Sequence, residues 1–167
     1  MYTHKTKLRV RYGETDQMKY AYYGVYAQYF EVGRVELLRS LGITYKELEE
    51  LGFSLPVVNY NINYKKPAFY DDELTIETTI KEPPSIKIIF NYRTLNEKGE
   101  VLNTAETTLV FVNKETGIPC ISPEILTTKF NKIWKVLEEF LGTYILVFVG
   151  CGSILSIFAF SSFKKIL

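Results

Sequence analysis

The 167-residue chain holds one histidine, His4, two cysteines, Cys120 and Cys151, and one tryptophan. That shortage removes several chemistries at once. The cysteines are far apart among apolar or small residues, form no CxxC pair and have no set of histidines to complete a metal site, so no metal is expected. A lone histidine close to the N-terminus is a poor basis for proton transfer. Charge is equally undistinguished: 20 Lys and Arg against 19 Asp and Glu leave a formal +1, with none of the basic excess that nucleic-acid binding requires. The opening stretch MYTHKTKLRVRYGETD has no apolar run of the export-signal kind, and a reduced, cytoplasmic setting is the expectation. What the chain does have is 47% apolar residues, with aromatics at 15%, enough for the core of one domain in a chain too short for a second.

The C-terminal part differs from the rest. Residues 141–160, LGTYILVFVGCGSILSIFAF, carry no charge, have about the length that a bilayer-spanning helix needs, and precede Lys164 and Lys165. Two readings stand side by side for the apolar tail 141–167: a C-terminal membrane anchor, or a buried terminal element or foreign tail on a domain spanning 1–140.

Within that domain, KLRVRY (7–12) alternates apolar and basic residues as a half-buried strand would, and GETDQ ends it. From Gly24 to Leu41 apolar side chains at helical spacing fill more than one face, which predicts a long, largely buried helix stopped by Gly42. Thr44 and Glu47 form a T-x-x-E capping box for a second, short helix ending at Gly52. Four β-prone runs follow, 54–70, 74–82, 86–96 and 100–113, separated by turn signals at DDE, KEPPS, NEKG and NKETG. The alternation of Leu74, Ile76, Thr78 and Ile80 with polar neighbours marks an antiparallel sheet with one solvated face. Ser122 and Pro123 then open a helix running to about Phe140. The order predicts an α+β domain in which a five-stranded antiparallel sheet and a long helix bury each other's apolar faces, with a C-terminal helix added.

Two acids flank the start of the long helix. Asp16, in GETDQM, reads as a turn or capping residue or as a reactive carboxylate. Glu31, on the helix, reads as a partner for Arg34 three residues on or as a functional acid. The tyrosines between them, including Tyr26, read first as core.

The order of elements, with YGETDQMKYAYYGVYAQYFEVGRVELLRSLG (12–42), NYKKPAFYDDELTI (63–76) and TAETTLVFVNKETGIPCISP (104–123), resembles the hotdog-fold acyl-CoA thioesterases of the 4-hydroxybenzoyl-CoA thioesterase family, a group that includes the Tol-Pal-associated thioesterases. The resemblance covers about Leu8 to Phe140. It implies the motif D-x-x-G-x-V-x-H-x-x-Y, whose acid falls on Asp16 and whose last tyrosine falls on Tyr26. Lys19 stands where the family has glycine, and Tyr23 stands where it commonly has histidine.

What the resemblance implies is hydrolysis of an acyl-CoA to CoA and a carboxylic acid, with Asp16 acting on water or on the carbonyl and the backbone N–H near Tyr23 meeting the thioester oxygen. The chemistry is sound in itself, because the first amides of a helix are unpaired and carry the positive end of its dipole. Glu31 is the rival catalytic acid, since some hotdog branches place theirs on this helix. Tyr26, Lys65, Lys66 and Lys87 are the candidate substrate contacts, the lysines for CoA phosphates. No metal or other cofactor is implied, and a homodimer or homotetramer is. The competing expectation is a catalytically weakened hotdog protein that binds acyl-CoA or acyl carrier protein, attached to a membrane through 141–160, with Lys19 and Tyr23 displacing the reactive geometry.

Overall fold

The computed structural model describes residues 1–136. They fall into a unit spanning Met1–Asn131 and the beginning of a second unit, residues 132–136, which is helical. The tail expectation, and Cys151 with it, lie outside the described residues, among which no helix is long and apolar enough to cross a membrane.

In the first unit, strands β1 (Tyr2–Arg9), β3 (Val57–Tyr64), β4 (Glu73–Ile80), β5 (Lys87–Leu95) and β6 (Val101–Val110) form a five-stranded sheet in the order β1-β4-β5-β6-β3. All its pairings are antiparallel. Two short strands, β2 (Phe53–Ser54) and β7 (Val112–Asn113), pair separately. Helices α1 (Tyr26–Ser40) and α2 (Tyr45–Glu50) lie between β1 and β2, and a further helix begins at residue 124.

Two boundaries differ from the expectation. β1 starts and stops earlier than 7–12: its alternation already begins at Tyr2, and the chain turns into a 3-10 helix at Tyr12–Glu14. His4 therefore sits inside an edge strand, opposite Thr78. The predicted strand 54–70 is broken, β2 giving way before Pro56 and β3 ending before Lys65 and Lys66, which share the Leu102 carbonyl.

The helix boundaries follow their signals closely. At the end of α1, Gly42 takes φ +70°, its N–H bonds to the Arg39 carbonyl and that of Ile43 bonds to the Leu38 carbonyl, a complete Schellman closure. The Thr44–Glu47 box is closed from both sides, at 2.6 Å from the Thr44 amide to the Glu47 carboxylate and 3.1 Å from the Glu47 amide to the Thr44 hydroxyl.

α1 is not buried all round. One stripe, Tyr26, Tyr29, Phe30, Gly33, Arg34, Leu37 and Leu38, faces the core, while Ala27, Gln28, Glu31 and Val32 are exposed. Phe30 stacks on Tyr92 of β5 at 4.5 Å between ring centres. Against β4 the helix has no room to spare: a Cβ at Gly33 would lie 2.6 Å from the Thr78 hydroxyl and 3.0 Å from an Ile76 methyl. Each large side chain buried along this seam contributes about 1.5 to 3 kcal/mol. At the outer edge, Lys5 and Lys7 of β1 pair with Glu77 and Glu73 of β4.

Gly33→Ala is expected to force α1 off β4. Overpacking of this kind costs about 1 to 3 kcal/mol, offset only partly by alanine's helix propensity, so thermal unfolding should move down by about 2 to 8 °C. An unchanged or raised midpoint would mean that the helix is not seated on Thr78.

Candidate active site

Beyond β1 the chain passes buried Val10 and the 3-10 turn Tyr12–Glu14, then doubles back on itself. Thr15 bridges Ala21, the Asp16 N–H donates to the Tyr20 carbonyl at 2.9 Å, and the Lys19 N–H donates to the Asp16 carbonyl at 2.9 Å. Asp16 itself fastens the reversal. Its Oδ1 accepts from the Met18 amide at 2.8 Å and from the Tyr20 amide at 3.3 Å, as a short carboxylate in a turn can. Oδ2 is paired with no group among the described residues.

The last residue of this turn must be left-handed, and Lys19 is, at φ +65°. That geometry explains why the resemblance expects glycine here, because a side chain in this conformation costs about 1 to 2 kcal/mol. Lysine has been accommodated by the backbone the motif demands.

The turn is fixed on both sides. From the segment after β3, the Ala68 carbonyl accepts from the Ala21 amide at 2.8 Å, and Phe69 bridges Tyr20 with the rings edge-on at 5.5 Å. From within, the Glu14 carbonyl accepts from the Tyr22 amide at 2.8 Å. The Glu14 carboxylate then accepts from the Arg11 amide at 2.8 Å and from the Tyr29 hydroxyl of α1 at 2.7 Å. One acid thus ties the exit of β1, the Asp16 turn and the long helix together. Burial first, and then Glu14, push the Tyr29 phenol well above its ordinary pKa, so it stays a donor.

The chain next enters a 3-10 turn, Tyr23–Val25, that leads into α1. The Tyr23 N–H, first in that turn, has no acceptor among the described residues, while the Tyr23 carbonyl accepts from the Tyr64 hydroxyl at 2.8 Å. Two open clefts meet at Asp16. One, of about 800 Å³, is lined by Tyr12, Gly13, Thr15, Asp16, Gln17, Lys19 and Tyr70. The other, of about 510 Å³, runs between Glu14, Thr15 and Asp16 on one side and Tyr22, Gly24, Val25 and Gln28 on the other.

The residues singled out from the sequence are distributed unevenly around this point. Asp16 shares a cleft with Tyr22 and Gly24, the two neighbours of Tyr23 in the chain, while Tyr23 lines neither cleft. Tyr23's own side chain is exposed and packs on Tyr22. Glu31 is an exposed acid bound to buried Arg34 at 3.3 Å and lines neither cleft. Tyr26 is buried among Tyr29, Phe30 and Tyr64, where burial pushes its phenol up to about 12, and it too lines neither cleft. Lys65 and Lys66 follow Tyr64 at the same end of the sheet as Asp16, with Lys66 paired to Glu100. Lys87 opens β5 at the opposite end, about 26 Å along the strand. Glu14, Gln28 and Tyr70 were not anticipated. Of these only Glu14, two residues before Asp16, had any local signal.

A profile described as the thioesterase-like superfamily matches residues 10–138. YneP of Bacillus subtilis is 37% identical over 119 residues, 71% of this chain and 86% of that protein. The acyl-CoA thioesterase YbgC of Haemophilus influenzae is 35% identical over 127 residues, 75% of this chain and 93% of that protein. Among solved structures, a DHNA-CoA thioesterase from Staphylococcus aureus superposes with a TM-score of 0.70 at 30% identity, covering 92% of this chain and 98% of that one.

Removing the Tyr29 hydroxyl should release the clasp. A hydrogen bond to a charged group is worth about 1.5 to 3 kcal/mol, so Tyr29→Phe is expected to lower the urea midpoint and to speed hydrogen exchange at the Tyr22 amide. Exchange at Tyr22 that stays at the natural rate would show that Glu14 holds the turn without α1.

Proposed function

The chain belongs to the thioesterase-like superfamily and is an acyl-CoA thioesterase, and we propose that Asp16 and the Tyr23 amide together carry its hydrolytic step. The observation behind this reading is the cleft that has Asp16 on one wall and the opening turn of the helix on the other. Asp16 spends one oxygen on the backbone of its own turn, which leaves Oδ2 for the reaction. Water gives its proton to Oδ2 as its oxygen bonds to the thioester carbon. The carbonyl oxygen becomes an oxyanion against the Tyr23 N–H, where the helix dipole also favours negative charge. Collapse of that intermediate breaks the C–S bond, and the CoA thiolate leaves and takes up the proton held by Asp16. Thiolate is a good leaving group, so histidine is not required, and CoA is part of the substrate rather than a cofactor.

Within the superfamily we place the chain in the 4-hydroxybenzoyl-CoA thioesterase group, which includes the Tol-Pal-associated enzymes, because its reactive acid lies in the turn rather than on the helix. Glu31, engaged by Arg34, is the less suitable acid. We also propose that the working unit is a homodimer or an assembly of dimers. None of the residues of edge strand β3 is fully buried, and Val57, Val58, Tyr60 and Tyr64 are all exposed. The outward stripe of α1 is equally uncovered.

Thiol release from short, long and aromatic acyl-CoA esters tests the chemistry. Asp16→Asn keeps the Oδ1 acceptor and the turn but removes the base, and is expected to cut turnover at least about 100-fold, near 3 kcal/mol of barrier, with Glu31→Gln close to the natural rate. The opposite pattern would move the chemistry to Glu31. A folded natural protein inactive on every ester would favour the binding-protein reading. Light scattering tests the assembly: Val58→Lys, a charge on the open edge, should lower the mass toward a single chain, and an unchanged mass would place the interface elsewhere.

A further inference from the structure

A thioester has two dissimilar arms, and Asp16 stands where two dissimilar clefts meet. On the reading that Asp16 acts at the carbonyl, each arm must leave the reacting carbon through its own cleft. We propose that the CoA arm lies in the larger cleft, with the Lys19 ammonium as its phosphate contact, and that the acyl arm lies in the cleft beside Gly24, Val25 and Gln28.

Charge decides the direction. The nucleotide end of CoA carries several negative charges, and the acyl chain carries none. Asp16 lines both clefts; the smaller one adds a second acid, Glu14, which is paired with Arg11, and neither lysine nor arginine lines it. It offers a phosphate no cation. Lys19 is the cation lining the larger cleft, and it forms no ion pair among the described residues. Lys66, by contrast, is neutralised by Glu100, and Lys5 and Lys7 by acids of β4. Tyr12 and Tyr70, edge-on at 5.6 Å and largely exposed, supply an aromatic wall in the same cleft against which a flat base can lie.

The backbone points the same way. Lys19 holds a conformation in which a glycine would be free of strain. A side chain kept in such a place, in a cleft bordering the reactive acid, is the kind of local cost that functional sites carry.

Lys19→Gly removes the cation and relaxes the turn together, so loss of folding is not a concern, and Lys19→Asn removes the charge while still tolerating the left-handed angle. Calorimetric titration with free CoA and with pantetheine, which lacks the nucleotide, reads binding without turnover. Both variants are expected to bind CoA about tenfold more weakly, and added salt should bring the natural protein toward them, while pantetheine binding stays unchanged. In steady-state assays KM for an acyl-CoA should rise by a similar factor at constant kcat, with KM for the matching N-acetylcysteamine thioester unmoved. CoA affinity that survives both substitutions, or an equal loss with pantetheine, would overturn the assignment. If the natural protein hydrolyses nothing yet loses CoA when Lys19 is replaced, the hydrolytic reading fails and this one stands.

Discussion

The seating of α1 on the sheet sets the position of the Tyr23 amide and, through Tyr29 and Glu14, of the Asp16 turn. The helix lies as near β4 as Gly33 allows, and Phe30 is stacked on Tyr92 of β5. The free amide at Tyr23 is therefore presented at a defined point in space. The Asp16 turn is then built outward from the same helix, through the Tyr29 hydroxyl and Glu14, and from the segment between β3 and β4, through Ala68 and Phe69. Acid and amide thus share one rigid support, although they come from irregular chain.

Local signals were readable where one residue type alone satisfies the geometry. Gly42, the Thr44–Glu47 box and the alternation along β4 act over a few residues, so the sequence displays them directly. The turn role of Asp16 was legible for a similar reason: a carboxylate followed by a tight reversal is a local event. What could not be read depends on contacts between distant segments. Tyr29 and Glu14 are fifteen residues apart and meet only because the chain reverses between them. Lys87, a weaker phosphate candidate than Lys65 from the sequence, is set at the opposite end only by the register of the sheet. Segment 65–70 reads as strand from the sequence, whereas it works as the outer brace of the Asp16 turn.

The same limit applies to the helix itself. Apolar residues on more than one face suggested a largely buried helix, yet within one chain a single stripe is buried. Periodicity tells which residues avoid water, and does not tell whether their own chain or another copy provides the cover.

The edges of the sheet differ in a way that limits growth. β1 carries Thr3, Lys5, Lys7 and Arg9 on alternate positions, with Lys5 and Lys7 bound to acids of β4, whereas β3 at the other end carries no charged residue. A cationic edge is a poor template for a further strand. In the homodimer proposed above, a pair joined through β3 would have the lysine-bearing β1 at both of its remaining ends. A sheet so terminated would close after one addition, with no means to polymerise.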